Sequence, residues 1–170
     1  MSAERACILL VGIGNILLTD DGVGVHVVRA LDAMQKAGKI AFPVALRDGG
    51  TIGLALLAEF NQPSAVILID AMELGAPPGT VRAFEGAEMD ACLGGKKSTA
   101  HEVAASDLIA AAQLTGCAPE RRALVAIQPG STEWGLSLTE PVDAAIPRAC
   151  DMALSLIQEW NQPQKRRPNS

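Results

Sequence analysis

The sequence lacks the charge pattern of a nucleic-acid-binding protein. Its 170 residues include 14 Lys and Arg against 19 Asp and Glu, which gives a formal net charge of −5. The one basic cluster, Lys165-Arg166-Arg167, is too short to form a basic stripe along a phosphate backbone. We therefore expect no nucleic-acid partner.

Long hydrophobic runs and secretory features are also missing. No window approaches the roughly 18 apolar residues of a membrane span, and the N-terminus lacks a basic region followed by an apolar stretch and a cleavage site. The four cysteines, Cys7, Cys92, Cys117 and Cys150, form no Cys-x-x-Cys pair, so neither a zinc ribbon nor a redox dithiol is indicated. We expect a cytoplasmic protein without membrane insertion, with reduced cysteines buried as small hydrophobic residues.

Three familiar functional motifs are absent or incomplete. The sequence contains neither Gly-x-Ser-x-Gly nor His-Glu-x-x-His, so an α/β-hydrolase triad and a zincin site have no support. Gly12-Ile-Gly14 begins like a dinucleotide fingerprint, but Leu17 stands where the third glycine is required. Asp20 and Asp21 in the same loop would also repel a pyrophosphate, which makes a nucleotide-binding module the weaker interpretation.

The sequence does show an alternation of apolar strands and amphipathic helices, with 49% hydrophobic residues. This pattern predicts one α/β domain over residues 1–160, a three-layer fold with a mostly parallel twisted sheet and helices on both faces. One strand should be antiparallel, because the connector 71–79 is too short for a parallel crossover. The predicted strands are 6–11, 43–47, 65–69, 80–84 and 123–127. The predicted helices are 22–37, 51–60, 99–114 and 141–160, and Pro147 should kink or restart the last of them. Residues 161–170 are predicted to form a disordered tail.

Three side chains from separate parts of the sequence are candidates for one site. Asp70 directly follows an apolar strand, Asp21 lies in the loop after the first strand, and His101 opens a helix capped by Thr99 and Glu102. Because ligands bind at the carboxyl edge of parallel strands, we predict that these side chains converge there. Two carboxylates and an imidazole suit a divalent metal, and a helix N-terminus favours the neutral imidazole that a metal requires.

Each candidate also has a purely structural interpretation. Asp20 and Asp21 could cap the following helix, which we favour for Asp20 but not for Asp21. Asp70 could form an Asx turn, and His101 taken alone is typical of a surface histidine. The segment Asp48-Gly49-Gly50-Thr51 follows a strand and is most simply a turn, although its glycines also allow a bound peptide to approach closely, and substrate binding is its predicted functional role.

Several short motifs of this sequence, in their order and spacing, resemble the motifs of the hydrogenase maturation endopeptidases. The resemblance extends from about Cys7 to Trp160. The motifs are Gly12-Ile-Gly-Asn-Ile-Leu-Leu-Thr-Asp-Asp-Gly-Val-Gly-Val25, Asp48-Gly-Gly-Thr-Ile-Gly53, Ile69-Asp70-Ala71, Pro78-Gly79-Thr80, the region around His101, and Trp134-Gly-Leu-Ser137. Each piece is short, and their order along the chain makes the signal specific.

The resemblance implies an endopeptidase that removes the C-terminal peptide from the large-subunit precursor of a nickel–iron hydrogenase after nickel insertion. It also implies that Asp21, Asp70 and His101 are the nickel-contacting and catalytic residues, and that the substrate carries the nickel. Some relatives have Glu where this chain has Asp21, which is one methylene shorter. Imidazole and carboxylate ligands suit zinc or another divalent ion as well as nickel.

A second function is compatible with the same three ligands. A non-catalytic carrier would hold nickel or zinc and transfer it to a partner protein. Such a carrier should bind metal without any hydrogenase precursor and leave the precursor uncut. The endopeptidase interpretation is preferred because it accounts for the motifs in their order.

Overall fold

The computed structural model describes residues 7–51, 53–61, 63–95 and 102–162, which form a five-stranded sheet flanked by helices. The strand order is β2-β1-β3-β5-β4, where β4 is antiparallel to β5 and all other neighbours are parallel. The strands are β1 (Ile8–Ile13), β2 (Val44–Gly50), β3 (Ala65–Ala71), β4 (Val81–Glu85) and β5 (Arg121–Ile127). The prediction of a mostly parallel sheet with one antiparallel strand is confirmed.

The central strands are buried on both faces. Every residue of β1 and β3 is buried, as expected for parallel strands covered by helices on each side. Asp70 lies within β3 rather than directly after it, because parallel pairing with β5 continues through Ala71 and Ile127. The strand predicted to end at residue 69 therefore extends two residues further, to Ala71.

Helices cover the two faces of the sheet as predicted. On one face, α1 (Val23–Lys36) and α5 (Ile146–Asn161) pack over side chains such as Leu10 and Ile67. On the other face, a 3-10 helix (Gly53–Asn61), α2 (Gly86–Leu93) and α3 (Glu102–Leu114) pack over Leu9 and Val66. Successive strand residues thus enter opposite cores, which is the period of two that a pleated strand imposes.

Some helices differ in detail from the predictions. The short helix predicted over 51–60 is a 3-10 helix at Gly53–Asn61, and α2 was not predicted at all. Helix α2 buries only Met89 and Leu93, and one such pair is too little to reveal a helical period. The last predicted helix is divided into α4 (Glu140–Asp143) and α5, and Pro147 lies in the first turn of α5, so the predicted restart at Pro147 is confirmed.

The cysteines are less buried than expected. Cys150 is buried, but Cys7 is exposed and Cys92 and Cys117 are partly exposed. Cys7 stands outside the core because it precedes the first residue of β1. None of the helices in the described ranges combines the length and the apolar composition that a membrane span requires. The tail predicted from residue 161 begins later, because Asn161 is the last residue of α5; from residue 163 onward it lies outside the described residues.

Candidate functional site

Asp21 and Asp70 lie at the carboxyl edge of the sheet, as predicted. Strands β1 and β3 are parallel neighbours, and Asp70 is the penultimate residue of β3. Beyond β1 the chain forms a 3-10 turn (Thr19–Gly22) that carries Asp21 and contacts β3. Both carboxylates are almost fully buried, since Asp21 is 3% exposed and Asp70 is 1% exposed.

A glycine contact brings the turn against the strand ends. A Cβ atom on Gly24 would lie 2.1 Å from the carbonyl oxygen of Ile69 and 2.4 Å from that of Ile13. Because real Cβ atoms do not approach backbone oxygens so closely, only glycine allows the first turn of α1 to rest on the ends of β1 and β3. This contact places Asp21, three residues before Gly24, at the same edge as Asp70.

The loop before the turn folds around the Asp21 side chain. The backbone N–H of Asn15 donates to Oδ2 of Asp21 at 2.7 Å, and the Asn15 side chain accepts from the N–H of Leu17 at 3.0 Å. Gly14 has a φ of 129°, and a Cβ there would lie 1.8 Å from the carbonyl oxygen of Asp21. The Gly12-Ile-Gly14 motif therefore allows the loop to fold around Asp21 and does not form a nucleotide site.

Asp20 anchors a distant loop rather than capping a helix. Its carboxylate accepts hydrogen bonds from the N–H groups of Gly130 at 2.8 Å, Ser131 at 3.0 Å and Thr139 at 2.7 Å, and from Oγ1 of Thr139 at 2.7 Å. Burial acts to raise the pKa of Asp20, but these hydrogen bonds outweigh it and the pKa lies below its ordinary value. Helix α1 has Gly22 as N-cap without a side-chain cap, so the capping interpretation was wrong.

A buried glutamine next to the site was missed in the sequence. Gln128 follows β5, is 4% exposed, and accepts a hydrogen bond from the N–H of Leu74 at 2.6 Å. Its amide nitrogen donates to Oε2 of Glu73 at 3.0 Å. Gln128 thus fixes the chain that leaves β3 just beyond Asp70. The signal that singled out Asp70, a polar residue at the end of an apolar strand, also applies to Gln128.

The segment Asp48–Thr51 flanks the Asp21 loop on its other side. Strand β2 continues to Gly50, so only Thr51 lies in the predicted turn. The strand continues because the backbone pairs with β1 up to that residue. Asp48 accepts from the N–H of Gly50 at 3.1 Å and pairs with Arg29 at 3.3 Å, while the N–H of Gly14 donates to the carbonyl of Gly50 at 2.9 Å.

Comparison with known proteins identifies the family. The family model HycI, described as hydrogenase maturation protease, matches residues 25–156. This chain belongs to the hydrogenase maturation protease family. Its members are peptide hydrolases, and membership confirms the resemblance of the sequence motifs.

Individual relatives of this hydrogenase maturation protease span nearly its whole length. It is 38% identical over 162 residues to the hydrogenase expression/formation protein HupD of Rhizobium leguminosarum bv. viciae, covering 95% of this chain and 79% of HupD. It is 34% identical over 155 residues to the hydrogenase 2 maturation protease of Escherichia coli strain K12, covering 89% and 91%. The structure of the maturating endopeptidase HybD from E. coli superposes with a TM-score of 0.80 at 32% identity, over 91% and 93% of the two chains.

The third candidate residue, His101, lies outside the described residues, and so does Thr99, the predicted N-cap of the helix that follows. Helix α3 is described from Glu102 onward, directly after it. Within the described ranges no group of three or more His, Cys, Asp and Glu side chains is arranged to hold a metal. The structure therefore brings Asp21 and Asp70 to one edge, and the three-residue metal site stays a prediction.

Proposed function

We propose that this hydrogenase maturation protease removes the C-terminal peptide from the nickel-loaded large-subunit precursor of a nickel–iron hydrogenase. The names of its relatives support a role in hydrogenase formation, and one of them is a hydrogenase 2 maturation protease. The observation that carries the proposal is the burial of Asp21 and Asp70 at one edge of the sheet, on elements that pack against each other. Two acidic groups placed there form a recognition site for a cation.

The proposed site recognises the metal that the substrate carries. Asp21 and Asp70 supply two anionic oxygen ligands and His101 supplies an imidazole, a donor set that suits nickel and also zinc. Two buried carboxylates near each other repel, and a divalent cation offsets that repulsion. Because the metal arrives with the precursor, the isolated protease should bind it weakly.

Peptide hydrolysis at this site needs an activated water and stabilisation of the charge that develops on the carbonyl oxygen. A divalent ion supplies both when it is bound. One carboxylate of the pair accepts the proton from the attacking water. The rigid loop around Asp21 and the strand that carries Asp70 hold these groups in fixed positions before the substrate arrives.

The segment Asp48–Thr51 is proposed to bind the substrate peptide. It lies at the end of the edge strand β2 and is joined to the Asp21 loop through the Gly14–Gly50 hydrogen bond. An edge strand offers backbone groups to an extended peptide, which adds to the sheet as a further strand. A peptide held there would lie beside the proposed metal position.

The decisive test uses charge-removing variants of nearly unchanged size. Asp70→Asn and Asp21→Asn should each slow release of the C-terminal peptide by about 100-fold or more, as loss of a general base or metal ligand does. The matched control is Asp32→Asn, since the Asp32 side chain is 43% exposed on α1 and pairs only with Lys36 among the contacts described. Gel mobility of the nickel-loaded precursor reports cleavage, and circular dichroism verifies that each variant is folded.

Two outcomes would contradict the proposal. Undiminished peptide release by Asp70→Asn would rule out the site. A wild-type protein that takes up nickel without precursor and leaves the precursor at its full length would instead be the non-catalytic carrier.

A further inference from the structure

Three large apolar side chains remain in solvent on two loops beside the site. Leu17 is 45% exposed, Trp134 is 81% exposed and Leu136 is 75% exposed. They are three of the five large hydrophobic residues that are exposed in the described part of the chain. We call Leu17, Trp134 and Leu136 the apolar patch. Clustered exposed apolar residues of this kind mark interaction sites in soluble proteins.

Backbone pairing joins the two loops into one surface. Leu18 forms a parallel bridge with Gly135, and this register places Leu17 beside Trp134. The N–H of Gly135 donates to the carbonyl of Leu17 at 2.9 Å, and the N–H of Thr19 donates to the carbonyl of Gly135 at 2.9 Å. The apolar patch is therefore a property of the tertiary fold and not of either loop alone.

The backbone of the two loops is held in place before any partner binds. Thr19 has a φ of 41°, a conformation that is rare for a β-branched residue. Its hydroxyl donates to the carbonyl of Ser131 at 2.6 Å and of Glu133 at 3.1 Å, and the Asp20 carboxylate binds the same loop. A preorganised surface loses little conformational entropy on association, which favours tight binding.

The apolar patch is continuous with the proposed site. Asp21 lies two residues beyond Thr19, and its N–H donates to the carbonyl of Leu18 at 3.0 Å. The patch also has a polar rim, because Thr132, Glu133 and Ser137 beside it are exposed. An apolar centre with an exposed aromatic residue and a polar rim is the usual composition of a protein–protein interface.

We propose that the apolar patch docks an apolar segment of the hydrogenase large-subunit precursor, next to the metal centre that the precursor presents to Asp21. This inference rests on the proposed function, because the occupant is the protein whose peptide is cut. Trp134 is the central anchor, since it is a large exposed aromatic residue on a loop whose backbone is held by hydrogen bonds, and aromatic residues are enriched at interface hot spots. The patch positions the substrate and takes no part in bond cleavage.

The test separates binding from chemistry in steady-state cleavage of nickel-loaded precursor by the full chain. Trp134→Ala should raise KM by about 10-fold or more, while kcat stays within about twofold, because a hot-spot residue contributes to docking only. Trp134→Phe keeps an aromatic ring and should stay within about threefold of the wild-type KM. The matched control is Leu114→Ala at the end of α3, where the leucine is 89% exposed and KM should not change.

The experiment distinguishes failure of the docking inference from failure of the proposed endopeptidase function. If Trp134→Ala and Leu114→Ala have the same KM while the wild type cleaves normally, the docking inference is wrong and the proposed function stands. A fall in kcat at unchanged KM would also overturn it, since Trp134 would then affect the chemistry. A wild-type dimer in light scattering that Trp134→Ala dissociates would assign the patch to a second copy. A wild type that cleaves no precursor would remove both proposals.

Discussion

Replacing Asp20 by alanine should destabilise the protein, because its carboxylate accepts four hydrogen bonds from the loop that contains residues 130–139. The substitution leaves four donors from Gly130, Ser131 and Thr139 without their acceptor. We take about 1 kcal/mol for each, the low end of the usual range, because these hydrogen bonds are only partly buried. The cost of burying the carboxylate itself offsets part of the loss. We therefore expect the free energy of unfolding to fall by about 3 kcal/mol.

A graded control tests whether the carboxylate is the common anchor. Thr139→Val removes only the hydroxyl donor at 2.7 Å and should cost about 1 kcal/mol. Urea unfolding followed by circular dichroism measures both variants, and amide exchange at Ser131 and Thr139 should accelerate in Asp20→Ala. If Asp20→Ala and Thr139→Val lost the same free energy of unfolding, the reasoning would be refuted, because the other donors would then owe nothing to Asp20.

Two further predictions concern packing and pH. Gly24→Ala gains about 1 kcal/mol of helix propensity, but its Cβ would lie 2.1 Å from a backbone oxygen, an overlap that costs about 3 kcal/mol or more. Urea unfolding should therefore show a less stable variant. The control Gly95→Ala should change stability little, because its Cβ would lie 3.5 Å from the carbonyl oxygen of Cys92, an ordinary van der Waals contact. Equal stability of Gly24→Ala and wild type would refute the contact. The Arg122 guanidinium donates to the Asp90 carboxylate at 2.9 and 2.5 Å, and these hydrogen bonds hold the pKa of Asp90 below its ordinary value of 3.8. The ion pair therefore stabilises the fold above pH 3.8. This stabilisation is lost as the pH falls through the pKa that Asp90 has in the folded protein. Asp90→Asn should cost about 1–2 kcal/mol at pH 7, and urea titrations should show the difference from wild type shrinking as the pH falls below 3.8. A difference that does not change with pH would contradict this assignment.

The parts of the fold that the sequence predicts are those with a strong local signal. The central strands are apolar on both faces, so their positions are evident without knowledge of their neighbours. Asp70 could be placed at the sheet edge because it follows such a run directly. The role of Asp20 could not be predicted, since its partners lie 110 to 119 residues away and only tertiary structure brings them together. The order of the strands could not be predicted either, because it too depends on contacts between distant parts of the chain. The contribution of His101 stays a prediction.

The loop between β1 and α1 is fastened on both flanks. The Gly14–Gly50 hydrogen bond holds one side, and the Asp20 carboxylate holds the other. Such a loop does not close over a ligand in the manner of a flap, so any molecule that reaches Asp21 meets a backbone that is already in its final position. The conformational entropy lost on complex formation is then mainly that of the incoming chain. A precursor tail that is already extended and ordered would therefore bind more tightly than a flexible one.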